Sequence, residues 1–323
     1  MSALGEYRAA GEIRQGAGAA LAALKARAAE WDLELHEADG LLTLLLWGGE
    51  LTCAVSPAGA RMAIRAPERR LVQVIRDALA ELLAAEGVAV AWDAVEEGAL
   101  APGLALMRVV SVRARSPGFL RVRLRGEEAA RFATGGLHFR LLLPPRGRAP
   151  VWPRIAATGR TVWPEGRDAL HRPVYTLAGQ AGDWLEFDIF RHAGSPTCHW
   201  AASTGPGDTV GVIGPGGGWL PEADRLMLLG DATALPAIAR MLALTDRPAR
   251  AVLQVAAEDM GSLAADPRVT RTDDLTAALE AAQIAPGTHV WFAGHEDAAR
   301  RARAHLAGRG MGKRDFTAAA YWS

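Results

Sequence analysis

The sequence contains almost no lysine. Of its 36 basic residues only Lys25 and Lys313 are lysines, and the rest are arginines, balanced by 36 acidic residues to a formal net charge of zero. That balance leaves no long basic stripe, so the electrostatic footprint of a nucleic-acid binder is missing. Cysteine is also scarce. Cys53 and Cys198 are the only two, too few and too far apart for a disulfide framework, and the count fits a reducing compartment. Long apolar runs are absent too. A stretch such as Leu41 to Trp47 is too short to span a bilayer. The N-terminal segment MSALGEYRAAGEIRQ lacks the basic start and apolar core of a signal peptide. These absences lead to the expectation of a cytoplasmic protein with neither a membrane nor a nucleic acid as partner.

Apolar material is plentiful. Half of the 323 residues are hydrophobic, enough for two or three domains with real cores. Three textures follow one another along the chain. Residues 17–31 read as a helix, 41–47 and 51–55 as strands around Gly48-Gly49, and 61–65 as a further strand. Residues 68–86 form the clearest helix, with Leu71, Ile75, Leu79 and Leu82 on one face, and 87–92 a short strand. This predicts a small α+β domain over residues 1–95, to whose Trp31, Trp47 and Trp92 no ligand is assigned. A Gly- and Pro-containing linker, Glu96–Gly103, follows.

From residue 106 the pattern changes to short alternating strands punctuated by Pro and Gly: 106–114, 119–125, 137–143, 173–177 and 184–190. Strands at this spacing point to an antiparallel barrel or sandwich over 106–221. From about residue 222 strand and helix alternate: strand 225–231, helix 235–244, strand 250–257, helix 272–282, strand 289–294, helix 297–307. That order implies a parallel sheet with crossover helices over 222–323.

Two segments carry chemistry. The first is the strand-to-helix junction Gly230-Asp231-Ala232-Thr233-Ala234-Leu235-Pro236. Open α/β sheets bind ligands at the carboxyl ends of their strands, and helix N-termini favour anions. Gly230 would admit a ligand closely, and Thr233 would cap the helix or touch the ligand. The spacing is not that of the GxGxxG fingerprint, and on spacing alone an ordinary capped turn is the preferred explanation. The second is Arg172-Pro-Val-Tyr175-Thr176, followed by His192 and by Ser195-Pro196-Thr197-Cys198-His199-Trp200-Ala201. An arginine suits a pyrophosphate, a tyrosine stacks on a flavin ring, and a threonine hydrogen-bonds a ring edge. The later turn offers helix N–H groups to a phosphate. A barrel strand with an exposed arginine and an unrelated turn is the plain alternative. Cys198-His199 with His192 fits no common metal-ligand spacing, so no metal site is expected; His192 is read as a flavin contact and His199 as a surface residue.

These blocks, in this order, resemble the siderophore-interacting protein family, FAD-dependent ferric-siderophore reductases of the ferredoxin-reductase superfamily. RPVYT (172–176) is similar to its Arg-x-Tyr-Thr flavin motif, DIFRH (188–192) to its Asp-Phe-Val-Leu-His strand, and SPTCHWA (195–201) to its phosphate turn. GDTVGVIGPGGG (207–218) resembles its closing barrel strand and GDATALPAI (230–238) its Gly-Asp-Glu-Thr-Ala-Leu-Pro-Ala-Ile junction. WFAGHEDAARRARAHL (291–306) and the terminal Ala320-Tyr321-Trp322 resemble its ending. Residues 10–93 resemble a small domain of uncharacterised function found with such reductases. The resemblance departs at three places. Arg172 precedes Tyr175 by three residues where two are usual, a difference that a bulge at Val174 would absorb. Ala232 and His295 replace glutamates on the expected nicotinamide side. Cys198, a weak donor, stands where a hydroxyl is common.

The resemblance implies an α+β N-terminal domain, an antiparallel FAD barrel and a Rossmann-like NAD(P)H domain, with the flavin in the crevice between the last two. It implies FAD contacts from Arg172, Tyr175, Thr176, His192, Ser195, Pro196, Thr197, Cys198 and Trp200, and nicotinamide-side contacts from Gly230, Asp231, Thr233 and Ala234. Trp322 would cover one flavin face. Lys313 and Arg314 would attract an anionic siderophore. The expected activity is NAD(P)H-dependent reduction of a ferric siderophore or other ferric chelate, with a ferredoxin as an alternative electron donor. A general flavin-dependent oxidoreductase with another acceptor, or a flavoprotein that binds siderophores or senses redox state without turnover, stands beside it. So does a reductase that only feeds an active N-terminal domain.

Overall fold

A computed structural model describes residues 7–323; residues 1–6, the start of the N-terminal segment read above, lie outside the described residues. The chain divides into two compact units, one of residues 1–104 with 144–170, the other of residues 105–143 with 171–323.

The first unit is a six-stranded antiparallel sheet with helices Ala17–Glu30 and Arg69–Ala84. The strands run in the spatial order Glu34–Ala38, Leu41–Leu46, Gly49–Ser56, Gly59–Ala66, Tyr7–Ile13, Ala91–Trp92. Two of its hairpins have two-residue turns with positive φ at both positions: Asp39-Gly40 (53° and 76°) and Trp47-Gly48 (54° and 84°). That backbone matches the right-handed strand twist and favours Asp-Gly or Xaa-Gly. Trp47 therefore belongs to the turn rather than to the strand expected over 41–47. The apolar stripe of helix Arg69–Ala84 buries Val72, Ile75, Leu79 and Leu83 against Leu51, Met62 and Ile64 of the sheet.

Residues 144–170, which fall within the span expected for the barrel, belong to this first unit. They contain the hairpin Arg154–Ile155 with Thr161–Val162. Backbone bonds from Gly98 N to Ile155 O (2.8 Å) and from Ala101 N to Pro153 O (2.9 Å) hold it to the segment expected as a linker. Gln73 Nε2 donates to Gly159 O at 2.8 Å, and Thr161 N to Asp77 Oδ1 at 2.8 Å. The segment is rich in turns and has neither the period of two nor that of 3.6, so no periodicity reports where it docks.

The second unit holds a closed six-stranded barrel and a five-stranded sheet. The barrel order is Val174–Ala181, Trp184–Phe190, Phe119–Arg125, Leu104–Ser116, Thr209–Gly216, His138–Leu142, closing on the first. In strand Trp184–Phe190, Leu185, Phe187 and Ile189 fill the barrel core, while Glu186 and Asp188 alternate with them on the outer side, as a period of two requires. The sheet order is Val269–Arg271, Ala249–Gln254, Arg225–Asp231, Thr288–His295, Phe316–Trp322, all parallel. Its central strand is apolar on both faces. Leu228 packs with Ile238 and Met241 of helix Leu235–Leu244, and Leu229 with Leu275 and Leu306 beneath helices Leu275–Glu280 and Glu296–Gly308, the signature of a sheet covered on both sides. Barrel residues Phe119 and Leu137 join the first of these cores. Arg240 of helix Leu235–Leu244 donates to Leu137 O (2.6 Å) and Phe132 O (3.3 Å), tying sheet to barrel.

Candidate flavin and nucleotide site

A cavity of about 600 Å³ opens where the outer face of the barrel meets the carboxyl ends of the parallel strands. It lies in the volume range of pockets that hold cofactors and drug-sized ligands. From the barrel it is lined by Tyr175 and Thr176, by His192, and by Ser195, Pro196 and Thr197; from the sheet, by Thr233 and Trp322. The two segments read from the sequence are thus brought together with the chain end at Trp322.

Each side chain has a local cause. Ser195 is the N-cap of helix Pro196–Ala201, its Oγ accepting from Cys198 N at 3.2 Å. Pro196 has no N–H, so the first turn leaves the Thr197 N–H for an anion. The Cys198 backbone, expected to carry a phosphate contact, is committed to this cap, and its Sγ lies 3.5 Å from Phe190 O. Trp200, on the next turn, packs against the barrel core and does not line the cavity. Arg172 is exposed and does not line it either, but it precedes the lining residue Pro173. Its carbonyl accepts from Arg140 Nη1 at 2.9 Å. No bulge occurs at Val174: Val174, Tyr175 and Thr176 pair in unbroken register with Arg140, Phe139 and His138. The irregularity of this strand lies further on, between Leu177 and Gly179. The same register continues back through Pro173, whose carbonyl accepts from Leu141 N at 2.8 Å, to His171 opposite Leu143.

Two hydrogen-bonded chains run beneath the lining. Tyr175 bonds the hydroxyl of Thr197, and Thr197 Oγ1 lies 3.0 Å from His171 Nε2. Burial pushes the Tyr175 phenol up to about 12, so it stays protonated. Thr176 Oγ1 lies 3.1 Å from His138 Nδ1, and His138 Nε2 lies 3.2 Å from the Tyr321 hydroxyl. Burial, with the Arg240 charge adding to it, holds His138 down at about 4; the imidazole is neutral at physiological pH. Burial and the nearby Asp231 carboxylate raise the Tyr321 phenol.

On the sheet side Asp231 is the organiser. Its Oδ1 accepts from Thr233 N (2.9 Å) and Thr233 Oγ1 (2.6 Å), and its Oδ2 from His295 N (3.1 Å) and Trp322 Nε1 (2.7 Å). The His295 and Trp322 rings meet edge-on with centroids 4.5 Å apart. Neighbouring side chains on a strand normally face opposite ways. Here the pairing slips, with Gly294 opposite Ala320 and His295 opposite Trp322. This bulge lets both Tyr321 and Trp322 line the cavity. Gly230 and Ala234 lie behind the lining. A Cβ on Gly230 would come within 2.5 Å of Ala234 Cβ and 2.8 Å of Ile238 Cδ1; the glycine serves helix-to-strand packing rather than close approach of a ligand.

The sequence reading did not assign His138, His171, Phe119, Phe190, Asp188 or Tyr321, all of which line the cavity. Tyr321 carried a signal in the terminal Ala-Tyr-Trp, and Asp188 and Phe190 in the DIFRH block; the two histidines and Phe119 carried none. Asp188, almost fully buried, is clamped by Arg121 Nε (2.7 Å) and Arg115 Nε (3.2 Å). Lys313 and Arg314 are not brought to the cavity. They precede the strand Phe316–Trp322 at its N-terminal end, a strand length of roughly 20 Å from Trp322. Arg314 lines a different hollow, with Thr288 and His289.

The donor set and shape fit an aromatic dinucleotide: Thr176 and Tyr175 for a ring edge, the aromatic rings of His192 and Trp322 for its flat surface, and the Thr197 N–H for a phosphate. Comparison with known proteins agrees. Residues 108–219 match the model of the siderophore-interacting FAD-binding domain, and residues 223–323 that of the siderophore-interacting protein. A siderophore utilization protein from T. fusca, known from its crystal structure, is 31% identical, with 71% of this chain and 95% of that one covered at a TM-score of 0.56. The chain belongs to the siderophore-interacting protein family. The part shared with that family holds the FAD-binding barrel and the parallel-sheet α/β domain of the second unit and also takes in residues 144–170 of the first. Among curated relatives, an Escherichia coli (strain K12) NADPH-dependent ferric-chelate reductase is 31% identical over 140 residues, 42% of this chain and 55% of that one. The ferric vibriobactin reductase ViuB of Vibrio cholerae serotype O1 is 31% identical over 137 residues, 39% and 49%. The chain spans about half the length of the curated relatives it matches. Among the described residues no helix is long and apolar enough to cross a membrane.

Proposed function

We propose that this siderophore-interacting protein is an FAD-dependent reductase that takes electrons from NADPH or NADH and delivers them to iron held in a ferric siderophore or similar chelate. The observation that carries the reading is the meeting of Tyr175, Thr176 and Thr197 with Thr233 and Trp322 around one cavity. FAD bound there supplies the ability to accept a hydride and return electrons one at a time. The chain's own residues orient and shield. Thr176, fixed by neutral His138, offers its hydroxyl to a ring edge, and the Thr197 N–H meets a phosphate. Arg172, exposed beside Pro173, neutralises the pyrophosphate. Trp322, anchored by Asp231 and half exposed, covers a flavin face and yields it to a nicotinamide guided by Thr233. The iron takes electrons only, so each hydride donated by NAD(P)H reduces two Fe(III) and leaves one proton, which is released to water.

Anaerobic absorbance titration of the purified chain tests this. The flavin bands bleach on addition of NADPH or NADH and recover on addition of a ferric chelate, with Fe(II) appearing in step. A colourless protein that cannot be reconstituted with FAD, or a bound flavin that neither nucleotide bleaches, overturns the reading.

A further inference from the structure

The first unit carries a cavity of its own, about 300 Å³, between helix Arg69–Ala84 and the chain around Leu100 and Ile155. Arg76 lines it and is nine-tenths buried, 9% exposed. Its guanidinium lies over the Trp92 ring, 4.5 Å from the centroid, and Nη2 donates to Ala94 O at 3.0 Å. Its Nε is buried without a hydrogen-bond partner among the described residues.

The acids nearby are committed elsewhere. Asp77 Oδ1 accepts from Gln73 Nε2 (2.9 Å) and Thr161 N (2.8 Å). Asp93 and Glu96 also line the cavity, but Asp93 is bridged by Arg61, with Nη1 2.9 Å from Oδ1, and Glu96 by Arg69. Arg76 is therefore a buried cation with no carboxylate paired to it. Burying a charge is costly unless an opposite charge and hydrogen bonds complete it. Burial lowers the Arg76 pKa, and the neighbouring Asp77 carboxylate, which forms no ion pair with it, offsets this only in part. Arg8 and Arg69 also line the wall, Arg69 being the partner of Glu96, and Val72, Leu100, Pro102 and Ile155 supply an apolar side.

We propose that this cavity is a binding site for a small carboxylate with an apolar body, the carboxylate completing the Arg76 guanidinium and the body resting on Val72, Leu100 and Ile155. The planar fork of arginine matches a carboxylate, the volume lies at the lower end of ligand pockets, and paired Asp93 and Glu96 at the wall disfavour a multiply charged anion. The site lies wholly within the first unit and does not depend on the flavin reading.

The test uses the full flavin-loaded chain and 4-fluorobenzoate, observed by ¹⁹F NMR. The expected result is line broadening by the wild-type protein, at least tenfold weaker apparent affinity in Arg76→Met, and partial retention in Arg76→Lys. Since Arg76→Met removes a buried contact to Trp92, a competition on the wild type provides a second arm: cyclohexanecarboxylate displaces the probe and cyclohexylmethanol does not. Absence of broadening, broadening unchanged in a folded Arg76→Met, or displacement by the alcohol as effective as by the acid overturns the proposal. Displacement by inorganic phosphate at equal or lower concentration overturns the carboxylate assignment.

Discussion

The indole Nε1 of Trp322 donates to Asp231 Oδ2 at 2.7 Å, so the last strand of the sheet is latched to the end of its central strand at the rim of the cavity. All of the bonds to the Asp231 side chain described above are donated to it, which suits an ionised carboxylate and no neutral replacement. Asp231→Asn turns one acceptor into a donor facing either the Thr233 or the Trp322–His295 pair. Stability should fall by about 1–3 kcal/mol, read by urea denaturation, and tryptophan emission should shift as Trp322 loosens.

His138 gives the second unit a defined acid sensitivity. Its folded-state pKa of about 4 lies below the ordinary 6.5. The folded protein thus binds fewer protons than the unfolded chain between these values. The contribution is full above pH 6.5 and is lost as pH falls toward 4, amounting to about 3 kcal/mol. His138→Gln keeps a polar bridge between Thr176 and Tyr321 without titrating. The difference in unfolding free energy between wild type and variant should therefore change across pH 6.5 to 4 and be flat above pH 7.

Asp188 is 5% exposed at its side chain and paired to Arg121 and Arg115. Asp188→Ala leaves Arg115 without its carboxylate partner and Arg121 with only Glu186, 3.7 Å away. The expected loss is about 3 kcal/mol or more, measured by chemical denaturation, with weaker retention of FAD as the wall relaxes. Arg125→Ala, which removes an exposed pair with Asp183, should change stability by less than about 1 kcal/mol.

Gly230→Ala separates packing from ligand approach. The added methyl meets Ala234 Cβ at 2.5 Å, an overpacking expected to cost about 1–3 kcal/mol. Thermal unfolding should show the loss, while FAD affinity of the folded variant stays within about twofold of wild type.

Tyr175→Phe removes the hydroxyl that bonds Thr197 and keeps the ring. One hydrogen bond is worth about 1 kcal/mol, so apoprotein should bind FAD roughly three- to tenfold more weakly in equilibrium dialysis. Thr197→Val should weaken it similarly, and the double variant should lose less than the sum of the two.

Parts of this site were legible in the sequence for identifiable reasons. Tyr175, Thr176, Ser195, Thr197, Thr233 and Trp322 sit in short motifs whose backbone is set locally, by a strand, a capped turn or a strand end. His138 and His171 were not legible. Each is a single histidine on a barrel strand or beside one; barrel closure brings His138 beside Thr176, and the packing of the parallel sheet on the barrel brings it beside Tyr321. Asp39-Gly40 shows the converse: it is a strong hairpin signal, and the strand Glu34–Ala38 before it was overlooked because its surface is polar on both sides. Strand Tyr7–Ile13 was likewise missed, and Val269–Arg271 and Phe316–Trp322 are too short or too alanine-rich to declare a period.

The sequence by itself determined the order of textures, the amphipathic helix Arg69–Ala84, the strand-helix alternation after residue 222 and the chemical character of the two motifs, because periodicity and capping are properties of neighbours in the chain. Tertiary structure alone decided the allegiance of residues 144–170, the bulge that turns both Tyr321 and Trp322 to one cavity, the neutrality of His138 and the isolation of the Arg76 charge. Each of those depends on burial and on partners remote in sequence, and desolvation is a property of three-dimensional surroundings that no local pattern encodes.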